Sequence, residues 1–270
     1  MRQERNRVGM TVAIDIGNTN TTVGILEGSK VLSSFKIPTA GLGNARGAAA
    51  ALFKGRLRPF LGQCSEGAVY ACSVVPQINP RLRLLVKRVL GTACKIAGED
   101  FCVPLLNKYR IPSQVGQDRL VNAYAALKLF GKGLIVVDFG TAITFDIVSR
   151  KEEYLGGLIA PGLRLMQESL NKKTALLPFV ELAKPIELIG RDTASSIRAG
   201  IVYGAASLCD GIIGRLLEKE CRGYQVVVTG GDASLVKSFS RYMKTVDEHL
   251  ILEGLAMLAE SQKTGMRKPY

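Results

Sequence analysis

Apolar and polar positions near the start of the chain define a hairpin. Residues 12–16 are apolar except for Asp15, residues 17–20 are polar, and residues 21–25 return to β-branched and apolar character. That pattern predicts strand, turn, strand. It returns at residues 135–147 at a constant offset of about 123 positions, so that Asp15 falls on Asp138, Gly17 on Gly140 and Thr21 on Thr144. Two hairpins of one design, each after a β-branched run, predict a duplicated domain.

The remaining elements fit two α/β halves. Residues 31–37 add a third strand, ended by Pro38. Residues 43–61 have helical spacing, residues 68–75 form an apolar strand halted by Pro76, and Asn79-Pro80 opens a helix to about Leu90. Short strands follow near Lys95 and at residues 103–106. Pro112 keeps its neighbour extended, and the apolar positions from Leu120 to Leu129 then have helical period, which puts Gly116 and Asp118 at a helix N-terminus. After the second hairpin come a strand over residues 153–160, a turn at Pro161-Gly162 and a helix over residues 163–170. Residues 174–178 and 184–188 read as loop and extended segments. A helix runs from about residue 194 to 220, a strand spans residues 224–229, and Gly230-Gly231 opens another helix. Residues 249–262 make the last helix.

The turns are built for anions. Glycine lets the backbone come close, successive N–H groups converge on oxygens, and Thr and Asn add short donors. Asp15 would repel a phosphate it touched, so it implies a cation, hydrated Mg2+. Paired acidic hairpins resemble the actin-like ATPase and sugar-kinase superfamily, in which two domains close on ATP. The fold class expected is therefore α/β, with two duplicated actin-like ATPase (ribonuclease H-like) domains and a nucleotide cleft between them. The expected boundaries are 1–117 for the first domain, with 1–9 a flexible extension, 118–262 for the second, and 263–270 for a tail.

Bulk properties narrow the function classes. The formal net charge of +13 invites nucleic-acid binding, but Trp is absent and the basic residues are scattered, apart from Arg81, Arg83, Lys87 and Arg88 on one helix. No nucleic-acid partner is expected. The six cysteines form no C-x-x-C, and one histidine, His249, cannot complete a common zinc site. Buried, reduced thiols fit a cytoplasmic protein. The N-terminus lacks a signal-peptide pattern and no apolar run reaches the roughly 20 residues that span a bilayer, so no membrane association is expected. Asp118 taken alone reads as a helix cap. Its adjacent arginine, and its place between the two hairpins, make it a catalytic candidate as well.

Six short motifs in order resemble the type III pantothenate kinases over almost the whole chain. They are Asp15-Ile16-Gly17-Asn18-Thr19, Gly116-Gln117-Asp118-Arg119, Asp138-Phe139-Gly140-Thr141-Ala142, the run from Gly156 to Gly162, Thr174-Ala175-Leu176-Leu177-Pro178 and Thr229-Gly230-Gly231. The resemblance implies ATP-dependent phosphorylation of the pantothenate 4′-hydroxyl, the first step toward coenzyme A. It implies that Asp15, Ile16, Gly17, Asn18, Thr19, Asn20, Thr21 and Thr22 cradle the ATP phosphates, with Thr141 adding a contact. It implies Asp118 as general base, Asp138 as ligand to a monovalent cation (K+ or NH4+), and a pantothenate site of Tyr109, Gly116, Gln117, Asp118, Arg119 and Thr193. It also implies a homodimer, with Thr193 acting across its interface. A non-catalytic nucleotide-binding relative of the same family is the alternative. Two positions depart from the family pattern: Asp192 stands where Asn is usual, and Glu153 where Gly is common.

Overall fold

The computed structural model describes residues 9–43, 47–60 and 64–263. The expected extension, save for Gly9, and the expected tail, save for Lys263, lie outside the described residues. In chain order the elements are β1 (Met10–Ile16), β2 (Asn20–Glu27), β3 (Lys30–Pro38), α1 (Ala48–Leu57), β4 (Cys64–Ser73), α2 (Asn79–Leu90), β5 (Cys94–Ile96), β6 (Leu106–Asn107) and α3 (Gln117–Phe130). They continue with β7 (Leu134–Phe139), β8 (Ala142–Val148), β9 (Glu153–Pro161), α4 (Leu163–Lys173), α5 (Thr193–Glu218), β10 (Gln225–Thr229), α6 (Ala233–Val236), β11 (Thr245–Val246) and α7 (Leu250–Lys263).

One sheet runs β3-β2-β1-β4-β5 and the other β11-β10-β7-β8-β9-β6. In each, three antiparallel strands are followed by two parallel ones, so β7 to β11 repeat the order of β1 to β5. The duplicated ribonuclease H-like design is therefore present, and β6 adds an edge to the second copy. The repetition extends to irregularities. On β3 the register shifts between Ser33 and Val31, leaving Leu32 unpaired, and on β9 it shifts between Gly156 and Tyr154, leaving Leu155 unpaired. Each bulge leucine is 45% exposed.

Register corrects one expectation. Asp15 pairs with Thr22, and Asp138 pairs with Thr144. The counterpart of Thr144 is thus Thr22, not Thr21. The second turn is one residue shorter than the first, and the longer β8–β9 connection restores the spacing.

The chain forms two compact units, Met1–Leu105 with Ser113–Ala125 and Leu250–Tyr270, and Leu106–Pro112 with Ala126–His249. The expected division at residues 117/118 differs in three places, the first being that Leu106–Pro112 belongs with the second unit. The first turns of α3 belong with the first unit, and so does α7, which packs on β1 and β4. The first core is built from Val12, Ile14 and Ile16 of β1, Val69 and Ala71 of β4, and Leu82, Leu85 and Val86 of α2. Each of these Val, Leu and Ile side chains contributes about 1.5–3 kcal/mol by its burial. The strand expected at residues 103–106 is reduced to the two-residue β6, and residues 184–188 form no strand.

In the second unit α5 is long and apolar enough to cross a membrane by length and composition. Its stripe of Ile197, Ile201, Ala205, Cys209 and Ile213 is buried in the same core as Ile135, Val137 and Phe145, so it is a core helix. Cys72, Cys94, Cys209 and Cys221 are buried free thiols, whereas Cys102 is exposed.

Candidate active site

The first unit gathers two of the predicted carboxylates. Asp15, near the end of β1, lies between Thr22 on β2 and Cys72 on β4. Asp118 lies in the first turn of α3. Burial, then Asp118, then Asp15 push the Cys72 thiol well above its usual range, which places both carboxylates within electrostatic reach of one buried group. Asp118 is itself raised above its ordinary value, chiefly by burial. The N–H of Arg119, the Arg119 charge and its own N–H oppose that shift. Its carboxylate folds over Gly116, where a Cβ would collide with Oδ1. Arg119 is only 8% exposed. A half-buried carboxylate of raised proton affinity at a helix start suits proton acceptance from an alcohol.

The turn between β1 and β2 closes with Gly17 N–H donating to the Asn20 carbonyl at 3.0 Å. Asn18, Thr19 and Asn20 are exposed at its tip, and Thr22 shares Asp15's face. Ile16 and Thr21 are fully buried. Thr39 Oγ1 donates to the Gly17 carbonyl at 2.7 Å, so the single proton of Thr21 goes to Thr39 at 3.0 Å. The Thr21 hydroxyl therefore braces the turn from inside. Thr39 was not singled out by sequence, although it follows Pro38 at the end of β3. Lys36 was missed as well. It pairs with Thr22 and is exposed, completing a row Cys72–Asp15–Thr22–Lys36 across four strands.

The second unit carries Asp138, Thr141, Tyr109 and Thr193. Asp138 lies between Thr144 and Thr229. Gly230, at φ +96°, brings bare Cα against the Asp138 carboxylate, where a Cβ would collide. The shorter turn closes from Gly140 N–H to the Ala142 carbonyl at 3.1 Å and leaves Thr141 exposed. Gly162 braces it, donating N–H to the Thr141 carbonyl at 3.1 Å. A Cβ on Gly162 would strike the carbonyl oxygens of Gly140 and Thr141. Arg164 donates to Asp232 Oδ1 at 3.2 Å beside the Gly230-Gly231 turn.

The donor set at Asp138 fits a hard monovalent cation. Thr144 Oγ1 gives its proton to Asp146 Oδ2 at 3.1 Å, so its lone pairs remain for a cation beside the Asp138 carboxylate. No group of three or more His, Cys, Asp or Glu side chains able to hold a metal occurs among the described residues. A lone carboxylate such as Asp15 suits a hydrated Mg2+, which keeps several waters and takes its remaining ligands from substrate phosphates.

Tyr109 lies against Gly156, whose Cβ would come within 3.2 Å of the ring. Thr193 is the exposed first residue of α5. Both departures find structural uses. Asp192 caps α5, its Oδ1 accepting from Ser195 N–H at 2.8 Å while Ser195 Oγ accepts from Asp192 N–H at 3.1 Å. The carboxylate is turned into the helix start, a place Asn fills equally well. Arg191 faces Glu187 at 3.6 Å instead. Glu153 sits 3.6 Å from Lys108 of the added edge.

Known proteins resemble the chain in sequence and in fold. Residues 11–215 match the family model for type III pantothenate kinase. A type III pantothenate kinase of Anaeromyxobacter dehalogenans (strain 2CP-C) is 38% identical over 254 residues, covering 94% of this chain and 100% of that protein. One from Nitratidesulfovibrio vulgaris (strain DP4) is 40% identical over 248 residues, covering 90% and 94%. In fold, the chain is similar to the activator of the 2-hydroxyisocaproyl-CoA dehydratase from Clostridium difficile, at a TM-score of 0.56 and 15% identity over 97% of this chain and 99% of that one. The chain belongs to the type III pantothenate kinase family.

Proposed function

We propose that this protein transfers the γ-phosphoryl group of ATP to the 4′-hydroxyl of pantothenate, the first step of coenzyme A synthesis, with Asp118 as general base. The observation that carries the reading is the half-buried Asp118 carboxylate at the start of α3, folded over Gly116 and within electrostatic reach of the same Cys72 thiol as Asp15. Phosphoryl transfer needs alignment and neutralisation more than covalent chemistry. Asp15 would hold Mg2+ through water, and the ion would supply charge neutralisation for the moving phosphoryl group. Gly17, Asn18, Thr19, Asn20 and Thr22 present donors to the phosphates, and Lys36 adds an ammonium on the same face. Ile16 and Thr21 act from below, by holding the turn. Thr141 adds a nucleotide contact, and Asp138 with Thr144 would hold K+ or NH4+.

Asp118 accepts the proton of the attacking hydroxyl. Arg119, with a fixed planar fork, binds the pantothenate carboxylate. Tyr109, Gly116, Gln117 and Thr193 complete the acceptor site. A homodimer is supported by the exposed apolar side chains of Phe179, Ile186, Leu188 and Ile189, with Thr193 reaching across. The protein is cytoplasmic and binds neither membrane nor nucleic acid. Arg83, part of the only basic cluster seen in sequence, is committed to internal acceptors.

The test is ADP release from ATP with Mg2+ and K+, with and without pantothenate, alongside a panel of other small alcohols. Pantothenate-dependent turnover is expected. Nucleotide binding without turnover, or preference for another alcohol, overturns the reading.

A further inference from the structure

The turn after β5 is held by five side-chain hydrogen bonds. Arg83 Nη1 donates to the Cys94 carbonyl at 2.6 Å, while Nη2 donates to Glu99 Oε2 at 2.8 Å and Asp100 Oδ2 at 2.7 Å. Asp100 Oδ2 also accepts from Ile96 N–H at 2.7 Å, and Asn79 Nδ2 donates to Glu99 Oε1 at 2.6 Å. The hydrogen bonds from Arg83 and Asn79 hold the Glu99 carboxyl below its ordinary range, so it stays ionised in the clamp. Inside this frame Gly98 has φ +83°, and its N–H donates to the Phe101 carbonyl at 2.8 Å.

The frame presents a bare Cα to Gln117. A Cβ on Gly98 would stand 2.9 Å from Gln117 Cδ, 3.0 Å from Cγ and 3.1 Å from Nε2. The Gln117 amide can lie where it does because residue 98 has no side chain. We propose that the Gly98 turn, locked by Arg83, is a positioning element for the acceptor site: it sets the Gln117 amide, and through it the affinity for pantothenate. An amide that both donates and accepts matches an acceptor bearing hydroxyl and amide groups. This rests on the proposed function, in which Gln117 touches the acceptor.

A turn that only stabilised the fold would behave differently under substitution. Gly98→Ala adds a Cβ in a backbone conformation that strains alanine. Gly98→Asn adds the same Cβ with less strain, since Asn tolerates the left-handed region. The experiment measures KM for pantothenate, KM for ATP, and kcat against pH for wild type, Gly98→Asn, Gly98→Ala, Gln117→Ala and the Gly98→Asn/Gln117→Ala double variant.

Both Gly98 variants should raise KM for pantothenate by roughly 5–20-fold, the scale of one lost hydrogen bond. KM for ATP and the kcat–pH profile should stay as in wild type. Adding Gly98→Asn to Gln117→Ala should raise KM no further, because the group it displaces is gone. Unchanged KM in Gly98→Asn, parallel loss of kcat and both KM values, or full additivity in the double variant overturns the inference while leaving the kinase reading intact. Absence of pantothenate turnover in wild type overturns both.

Discussion

The two hairpins share a scaffold and differ in what they put on it. In the first unit the row across the strands is Asp15–Thr22–Lys36, and in the second it is Asp138–Thr144–Ile159. A carboxylate and a hydroxyl recur, but the third place changes from an ammonium to an exposed aliphatic side chain. The braces differ too. Thr39 N–H donates to the Thr19 carbonyl at 3.0 Å and adds a side-chain bond to Gly17, whereas Gly162 N–H makes the equivalent bond to Thr141 with no side chain at all. The first row sets an ammonium beside its carboxylate and hydroxyl, and the second has oxygens as its only polar side-chain atoms. Duplication kept the backbone and let charge divide the labour.

Substitutions in the two rows should have unequal effects. Lys36→Met should lower kcat/KM for ATP by about 10–100-fold, the scale of a charge-assisted hydrogen bond. Ile159→Met should leave it within about twofold, as a volume-conserving exchange of apolar side chains. Equal ATP kinetics in both variants would erase the asymmetry. Gly162→Ala should lower stability by about 2–3 kcal/mol, because the new methyl meets backbone oxygens that cannot step aside; thermal unfolding checks it.

Thr39→Val should cost about 1–2 kcal/mol by leaving the Gly17 carbonyl and the Thr21 hydroxyl without their partner, while Thr39→Ser stays within about 0.5 kcal/mol. Asp192→Asn should leave the melting temperature at neutral pH unchanged. The backbone and side chain of Ser195 hold the Asp192 carboxyl below its ordinary value. Its contribution is thus present above the unfolded pKa and lost as pH falls through the folded one, and wild type should lose ground to the Asn variant only in acid.

Much of this was legible in the chain. The hairpins, the third strands ending at Pro38 and Pro161, and Asp118 at a helix start all follow from apolar period and proline placement. Aligning those two prolines would have exposed Thr39 and Gly162 as equivalent braces, and Lys36 as a charge opposite Thr22. The shorter second turn was hidden because a constant spacing of the first strands says nothing about a deletion compensated one loop later. The inward turn of Thr21 was hidden because its run of polar residues does not say which hydroxyl faces the core; the Ile16 pairing decides it. The membership of α7 in the first unit depends on packing against strands far earlier in the chain, β1 and β4, which no local pattern encodes.

The central claim is that Asp118 takes the proton of the attacking alcohol, and kcat measured against pH for wild type and Asp118→Asn tests it directly. Wild type should lose rate in acid with an apparent pKa above the ordinary Asp value of 3.8, because burial raises Asp118. The Asn variant should be slower by roughly 10²–10⁴-fold, the usual scale for a general base, and should lack that acid limb. Turnover in Asp118→Asn within a few-fold of wild type, with the acid limb intact, would contradict the account.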